Sequence, residues 1–313
     1  MGNRSRNNLF INTEYEIHFE TSYCIIKSLV SCSYTRISGS AYNTLQRILE
    51  SDAPSDDIIH FLNIICVNSE NDRVSSKKLK KQILDDSFIC RLIRIVPDVF
   101  FNLWTVCVTI LAGIILGSCI FATSPSPSYD KMDVIYVVVW IIINIGLHEL
   151  GHLSFCIHAG RTVPEMGIKL NFGIFPMFYC KTTDICMASK KDRISTSLAG
   201  VYCNAILCFF MALIYILISR NATIFHCFSI AFFFVISNLL PFIKLDGYYI
   251  LSDLLNIPYL RQRSAVRWKA VISLNKQIEK GDFILLTYFV ADKLFISFLL
   301  LGGVYSIYIL IFT

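Results

Sequence analysis

Charge is what this sequence has least of. Only 16% of its 313 residues are Asp, Glu, Lys or Arg, against about a quarter in ordinary soluble domains, while 55% are hydrophobic. That shortfall excludes an ordinary water-soluble globule and directs attention to the bilayer. The net charge of +5 is modest and informs only once the basic residues are placed on loops. No C-x-x-C pair occurs among the 12 cysteines. Cys107, Cys119, Cys156, Cys203, Cys208 and Cys227 lie in apolar stretches, which argues against a disulfide framework and for reduced, buried small hydrophobes. Residues 1–8 are polar and no compact apolar core with a cleavage site follows, so no signal peptide is expected. Arg6 stands where a myristoylation signal needs Ser or Thr.

What is present divides at about residue 97. Residues 1–97 intersperse charges of both signs, and Tyr15-Glu16-Ile17-His18-Phe19 alternates as a strand does. Residues 37–49 have helical spacing at Tyr42, Leu45 and Ile48, and residues 77–89 form a second helical candidate. The expectation is a small soluble α+β domain of winged-helix type. Beyond it, residues 98–313 read as a membrane domain. Apolar runs at 99–122, 134–158, 194–219, 224–240 and 294–312 are each long enough to cross a hydrocarbon core, which needs about 20 helical residues. Residues 283–291 are apolar too, but Asp292 and Lys293 interrupt the run, so an interfacial segment followed by a span is expected. The fold class is thus an all-α polytopic membrane protein of about five transmembrane helices with a small N-terminal α+β domain.

Basic residues orient it. Arg161, Lys169, Lys181, Lys190, Lys191 and Arg193 lie between spans two and three. Lys244, Arg261, Arg263, Arg267, Lys269, Lys276 and Lys280 lie between spans four and five, whereas the opposite side offers only Lys131 and Arg220. By the positive-inside rule both basic loops and the N-terminus are cytoplasmic, and five spans leave the C-terminus outside. Residues 256–280 are basic with interspersed apolar positions and are expected to lie on the anionic inner leaflet. No recognition fold accompanies that cluster, so nucleic acid is not an expected partner.

Span two contains His148-Glu149-Leu150-Gly151-His152. On a helix, residues i and i+4 are about 40° apart, so both imidazoles leave one face and can reach one Zn²⁺. Glu149 lies beside them, placed to take a proton from water and later pass it to a leaving amine. Ionisable groups inside a membrane helix are expensive and mark function. Catalytic zinc wants a third protein ligand and an open position. Asp246 supplies it: Pro241 ends span four, and Gly247 permits a sharp turn that brings the carboxylate back toward the metal. Two imidazoles and a carboxylate suit Zn²⁺, and Co²⁺ or Mn²⁺ would also bind.

His148 to His152, Asn238-x-x-Pro241 and Leu245-Asp246-Gly247, with Ala199-Gly200 and Asn204 between them, resemble the site-2 protease family of intramembrane zinc metalloproteases. The resemblance covers residues 134–253, which would be that family's three-helix catalytic core. Val163-Pro164-Glu165-Met166-Gly167 and residues 245–253 look like the bacterial peptide zinc metalloprotease branch associated with ribosomally made, modified peptides. The resemblance implies one zinc ion held by His148, His152 and Asp246, with Glu149 as general base. It implies that Asn238 holds the substrate backbone or the oxyanion, and that Gly200 and Asn204 pack one core helix against another. The chain departs from the branch after Phe175-Pro176, where Lys181-Thr182-Thr183-Asp184 replaces an Asp-rich aromatic segment, which leaves substrate contacts there open.

The stretch between spans two and three is too short for the PDZ domain that some site-2 proteases insert. Residues 167–186 instead suggest a membrane-associated hairpin, which could offer a strand edge to an unwound substrate or serve as a mere connector. The expected function is endoproteolysis of a membrane-associated peptide or precursor, in maturation or export of a ribosomally made peptide, with a leader peptide held by the N-terminal domain. Regulated cleavage of a membrane-bound regulator remains an alternative, as does a non-catalytic immunity or transport partner.

Overall fold

A computed structural model describes residues 8–11, 15–19, 23–28, 34–38, 40–50, 58–59, 62, 96–123, 134–163, 165–171, 175–273 and 282–312. The helical candidate at 77–89 and the Ser/Pro break after span one lie outside them. The chain groups into two units, one of Met1–Ile95 with Cys156–Arg193 and the other of Val96–Phe155 with Ile194–Thr313.

In the first unit, β1 (Asn8–Ile11), β2 (Tyr15–Phe19), β3 (Tyr23–Ser28) and β4 (Tyr34–Ser38) form an antiparallel meander in that order, followed by α1 (Ser40–Glu50). Residues 37 and 38 complete β4, so the helix starts at Ser40 and not at 37. Successive strand residues face opposite ways. Ile17, Cys24, Ile26 and Ile37 face one side and pack with Tyr42 and Leu45 of α1 and with Leu62. The opposite face carries Glu16, His18, Ile25 and Lys27, and it too is buried. It is covered by the segment 156–193. Ile25 packs on Met187 and Cys186. Arg161 donates to Glu16 Oε1 at 2.7 Å and to the Met187 carbonyl at 2.9 Å, and Lys27 pairs with Asp184 at 2.8 Å. Asp184 also accepts from the amide and hydroxyl of Thr162, both at 2.9 Å. Each buried charge is therefore paired, as burial demands. Burial pushes the Cys186 thiol up to about 12, so it is a protonated filler. A two-stranded hairpin, β5 (Glu165–Asn171) and β6 (Phe175–Lys181), leaves this segment. Pro176 sits in β6 opposite Leu170.

In the second unit, α2 (Leu103–Thr123) begins later than residue 99, because Pro97 leads into a 3₁₀ turn at Asp98–Phe101 and the Asn102 side chain then accepts from the Trp104 amide. Then follow α3 (Val134–His158), α4 (Lys190–Leu217), α5 (Ala222–Leu239), α6 (Asp246–Leu254), α7 (Leu260–Ile272) and α8 (Asp282–Phe312). Among the described residues five helices are long and apolar enough to cross a membrane: α2, α3, α4, α5 and α8. Their outward residues match: Trp104, Val108, Leu111 and Ile115 on α2, and Phe298, Leu300 and Leu301 on α8, are exposed. A soluble protein does not present such continuous apolar faces. Cys107 and Cys119 belong to them, so these two thiols are exposed on a helix surface and not buried, while Cys156, Cys208 and Cys227 are buried. No described cysteine is in a disulfide.

The Trp140 indole donates to the Cys227 carbonyl at 2.7 Å, tying α3 to α5. Phe155 and Tyr202 meet edge-on between α3 and α4, as Tyr215 and Phe225 meet between α4 and α5. These contacts assemble the three helices that carry the motifs. Phe121 of α2 braces them through Phe225, Phe228 and Phe232.

The expected interruption at Asp292 and Lys293 is corrected: α8 runs unbroken through both. The carboxylate of Asp292, 2% exposed, is neutralised by Arg261 of α7 at 3.1 Å and by Lys293 at 3.4 Å. Lower on the same pair of helices, Arg267 pairs with Asp282, and Trp268 stacks on Phe289. Sequence distance concealed these partners. Arg261→Ala is expected to destabilise the protein by about 1–3 kcal/mol, less than a fully buried pair because the guanidinium is partly exposed. Asp292→Asn in that background should recover part of the loss, because the stranded charge is then gone. Thermal unfolding in detergent reads both.

Candidate metal centre

Three donors converge within the second unit. His148 and His152 leave α3 one turn apart with ring centroids separated by 4.7 Å and planes nearly perpendicular. Asp246 is the first residue of α6. The His148 and His152 Nε2 atoms are 3.1 Å apart, and they lie 3.1 and 3.4 Å from the two oxygens of Asp246. One atom from each residue falls within a common 4.8 Å group.

The fit to a metal can be tested on these distances. Tetrahedral zinc with bonds of about 2.0–2.1 Å separates its ligand atoms by about 3.3 Å. The observed spacings of 3.1, 3.1 and 3.4 Å are close to that ligand-to-ligand distance, with each imidazole beside a different oxygen of the carboxylate. Oδ2 of Asp246 is buried without a hydrogen-bond partner even though His148 Nε2 is at ion-pair distance. A buried acceptor left over in this way can serve as a metal ligand. Two imidazole nitrogens and one carboxylate form the donor set of a catalytic zinc site with a fourth position open.

Backbone geometry explains how Asp246 arrives there. Leu240 is extended (φ −69°, ψ 122°), as a residue before proline prefers, so α5 stops at Leu239. The turn that follows is pinned by the Tyr288 hydroxyl, which donates to the Pro241 carbonyl at 3.0 Å. Tyr248 is buried with Leu260 and Tyr288 just beyond it. Gly247 is not at a positive φ, so the sharp-turn reason given by its sequence context is corrected. A Cβ at Gly247 would lie 2.3 Å from the Leu239 carbonyl oxygen, and it is this close approach of α6 to the end of α5 that demands glycine. Burial alone pushes the Asp246 carboxyl up, but the imidazoles of His148 and His152 beside it outweigh that and hold the group well below the usual range.

The rings themselves are held from behind. His152 Nδ1 lies 2.7 Å from the Thr196 carbonyl, which only accepts, so Nδ1 donates and Nε2 is left as a donor atom for a metal. His148 Nδ1 lies 3.0 Å from the side-chain amide of Asn204. The His148 ring also lies flat against Gly200, where a Cβ would meet three ring atoms at 2.4–2.7 Å. Glu149, between the two ligands in sequence, is partly buried on α3. Asn238 is buried in the last turn of α5, with its amide donating to the Phe234 carbonyl at 2.9 Å, a bond within its own helix. Sequence reasoning missed the Thr196 carbonyl, since any residue type supplies one. It noticed Asn204 without its histidine partner.

No family model matches the chain, and no solved structure matches it. Over 134 residues it is 31% identical to a Bacillus subtilis (strain 168) protein named "Putative peptide zinc metalloprotease protein YydH". The match covers 43% of this chain, and the chain spans about half of that relative's length, 53%.

Proposed function

We propose that this chain is a zinc endopeptidase working inside the membrane, which cleaves a membrane-associated peptide or precursor near the cytoplasmic leaflet. The observation that carries the reading is the cluster of His148, His152 and Asp246, whose nearest nitrogens and carboxylate oxygens lie 3.1–3.4 Å apart beside helices apolar enough to cross a bilayer. The similarity to a relative named as a peptide zinc metalloprotease agrees with it.

When bound, zinc supplies a Lewis acid that acidifies water and polarises a carbonyl. The chain's own residues do the rest. Glu149 takes a proton from the attacking water and delivers it to the leaving amine. Asn238, at the end of α5, holds the substrate backbone or the developing oxyanion. Apolar helix faces keep bulk water from the site, which strengthens each of these interactions. The positive-inside rule applied to the basic loops favours a cytoplasmic site, N-terminus and segment 156–193, with the C-terminus outside. Residues 1–97, read as a winged-helix-type domain, capture a leader peptide. The substrate class is then a ribosomally made peptide precursor in maturation or export.

Wild-type protein purified in detergent is expected to hold about one zinc per chain and to cleave a vesicle-bound precursor peptide. Asp246→Asn removes a direct ligand, so its zinc affinity should fall by more than the about 10–100-fold typical of outer-shell losses. Metal analysis and gel-resolved cleavage read the two effects. A wild type without zinc sinks the proposal and leaves a non-catalytic membrane partner.

A further inference from the structure

The side chain of Asn204 is entirely buried in α4, in the midst of helices that can span a membrane. A buried amide costs free energy unless its hydrogen bonds are made. Its Nδ2 lies 3.0 Å from His148 Nδ1, and its Oδ1 has no hydrogen-bond partner among the described residues. In that orientation the NH₂ group donates, Nδ1 accepts, and the His148 proton sits on Nε2, 3.1 Å from His152 Nε2.

Ligation of a metal by His148 Nε2 requires the other tautomer, with the proton on Nδ1. Nδ1–H then needs an acceptor. A half-turn of the Asn204 amide exchanges its two nearly isosteric ends and presents Oδ1, the orphaned acceptor, at the same distance. Of the two rings, His152 has its tautomer set permanently by the Thr196 carbonyl at 2.7 Å, while His148 faces a group that can either donate or accept. Gly200 packs against the face of the His148 ring, which keeps the ring edge directed at Asn204.

We propose that Asn204 is a positioning residue for the metal centre: its side-chain oxygen accepts from His148 Nδ1–H, fixing the tautomer and ring plane in which Nε2 ligates zinc. This rests on the zinc-site reading above and deepens it. Asn204 touches neither substrate nor the reacting atoms. It acts through His148, and its amide can serve the ring in either tautomer, which a fixed acceptor cannot.

The test measures zinc affinity of the full-length protein in detergent by chelator competition, with the Co²⁺-substituted absorption spectrum as a second readout. Asn204→Leu removes the acceptor at similar volume and is expected to weaken zinc binding about 10–100-fold. Asn204→Asp keeps an acceptor toward Nδ1 and is expected to bind within about threefold of wild type, with an unshifted Co²⁺ spectrum. Asn144→Leu is the control for loss of a buried amide. It removes an equally buried asparagine on α3 whose amide bonds only to the Trp140 carbonyl, and it should leave affinity unchanged. If Asn204→Leu binds zinc as tightly as wild type, or if Asn204→Asp and Asn144→Leu lose as much affinity as Asn204→Leu, the inference is overturned while the zinc site stands. A wild type that binds no zinc overturns the zinc-site reading, and this inference with it.

Discussion

Glu149→Gln is expected to leave zinc content at the wild-type level and to lower kcat/KM by about 10²–10⁴-fold, the usual contribution of a positioned acid–base group. The reasoning starts from which atoms the triangle uses. His148, His152 and Asp246 supply the three donors, and Glu149 is not among them. Glutamine has nearly the same shape, so α3 keeps its packing and both imidazoles keep their places. What it lacks is the ability to take a proton from water and return it to nitrogen. The loss corresponds to about 3–5 kcal/mol of transition-state stabilisation, at 1.36 kcal/mol per factor of ten. Metal analysis beside steady-state cleavage separates the two roles. A Gln variant that cuts at the wild-type rate removes Glu149 from the mechanism, and one that loses its zinc makes it a structural part of the centre.

Gly200→Ala is expected to weaken zinc binding by about 100-fold or more while the helices remain folded. The new methyl would stand 2.4 Å from His148 Cε1, 2.6 Å from Nε2 and 2.7 Å from Nδ1. Van der Waals contact needs about another 1 Å, and the ring can give that much by rotating away. Rotation relieves the clash at small cost to the fold, because a side chain moves and not a backbone. It also carries Nε2 out of the 3.1 Å spacings to His152 and Asp246, and Nδ1 away from Asn204. A displacement of 1 Å in a catalytic constellation is expensive. Gly247→Ala makes an informative contrast. Its clash is with the Leu239 carbonyl, which is backbone, so it should lower the unfolding temperature as well as the affinity. Chelator competition and thermal unfolding together distinguish a moved ring from a broken turn.

The parts of the site that a sequence can display are those with a fixed spacing or a fixed residue type. His148 and His152 are one helical turn apart, and Asp246 follows a proline that must end a helix, so all three could be placed before any coordinates. The existence of five spans was readable for the same reason, since about 20 apolar residues in a row have few other uses. What could not be read depends on partners distant in the chain. Asp292 looked like a helix breaker because Arg261, which neutralises it, belongs to another helix. Nothing in the sequence showed that Glu16 and Lys27 are buried, because Arg161 and Asp184 lie beyond two intervening spans. The Thr196 carbonyl is invisible in principle, being backbone. Gly247 was noticed for its flexibility, whereas the structure uses its lack of a side chain.

The covering of the N-terminal sheet has a consequence for the order of biosynthesis. Glu16 and Lys27 are made early, yet Arg161, Asp184 and Met187 reach the ribosome exit only after α2 and α3 have been synthesised. Until then one face of the sheet has charged side chains awaiting Arg161 and Asp184, while α1 and Leu62 can already cover the other. The first region translated is therefore among the last to finish folding, and its completion reports that the first two helices have been handed to the membrane as a pair. A nascent chain arrested before residue 161 should expose that face to protease, and one arrested well past residue 193 should protect it.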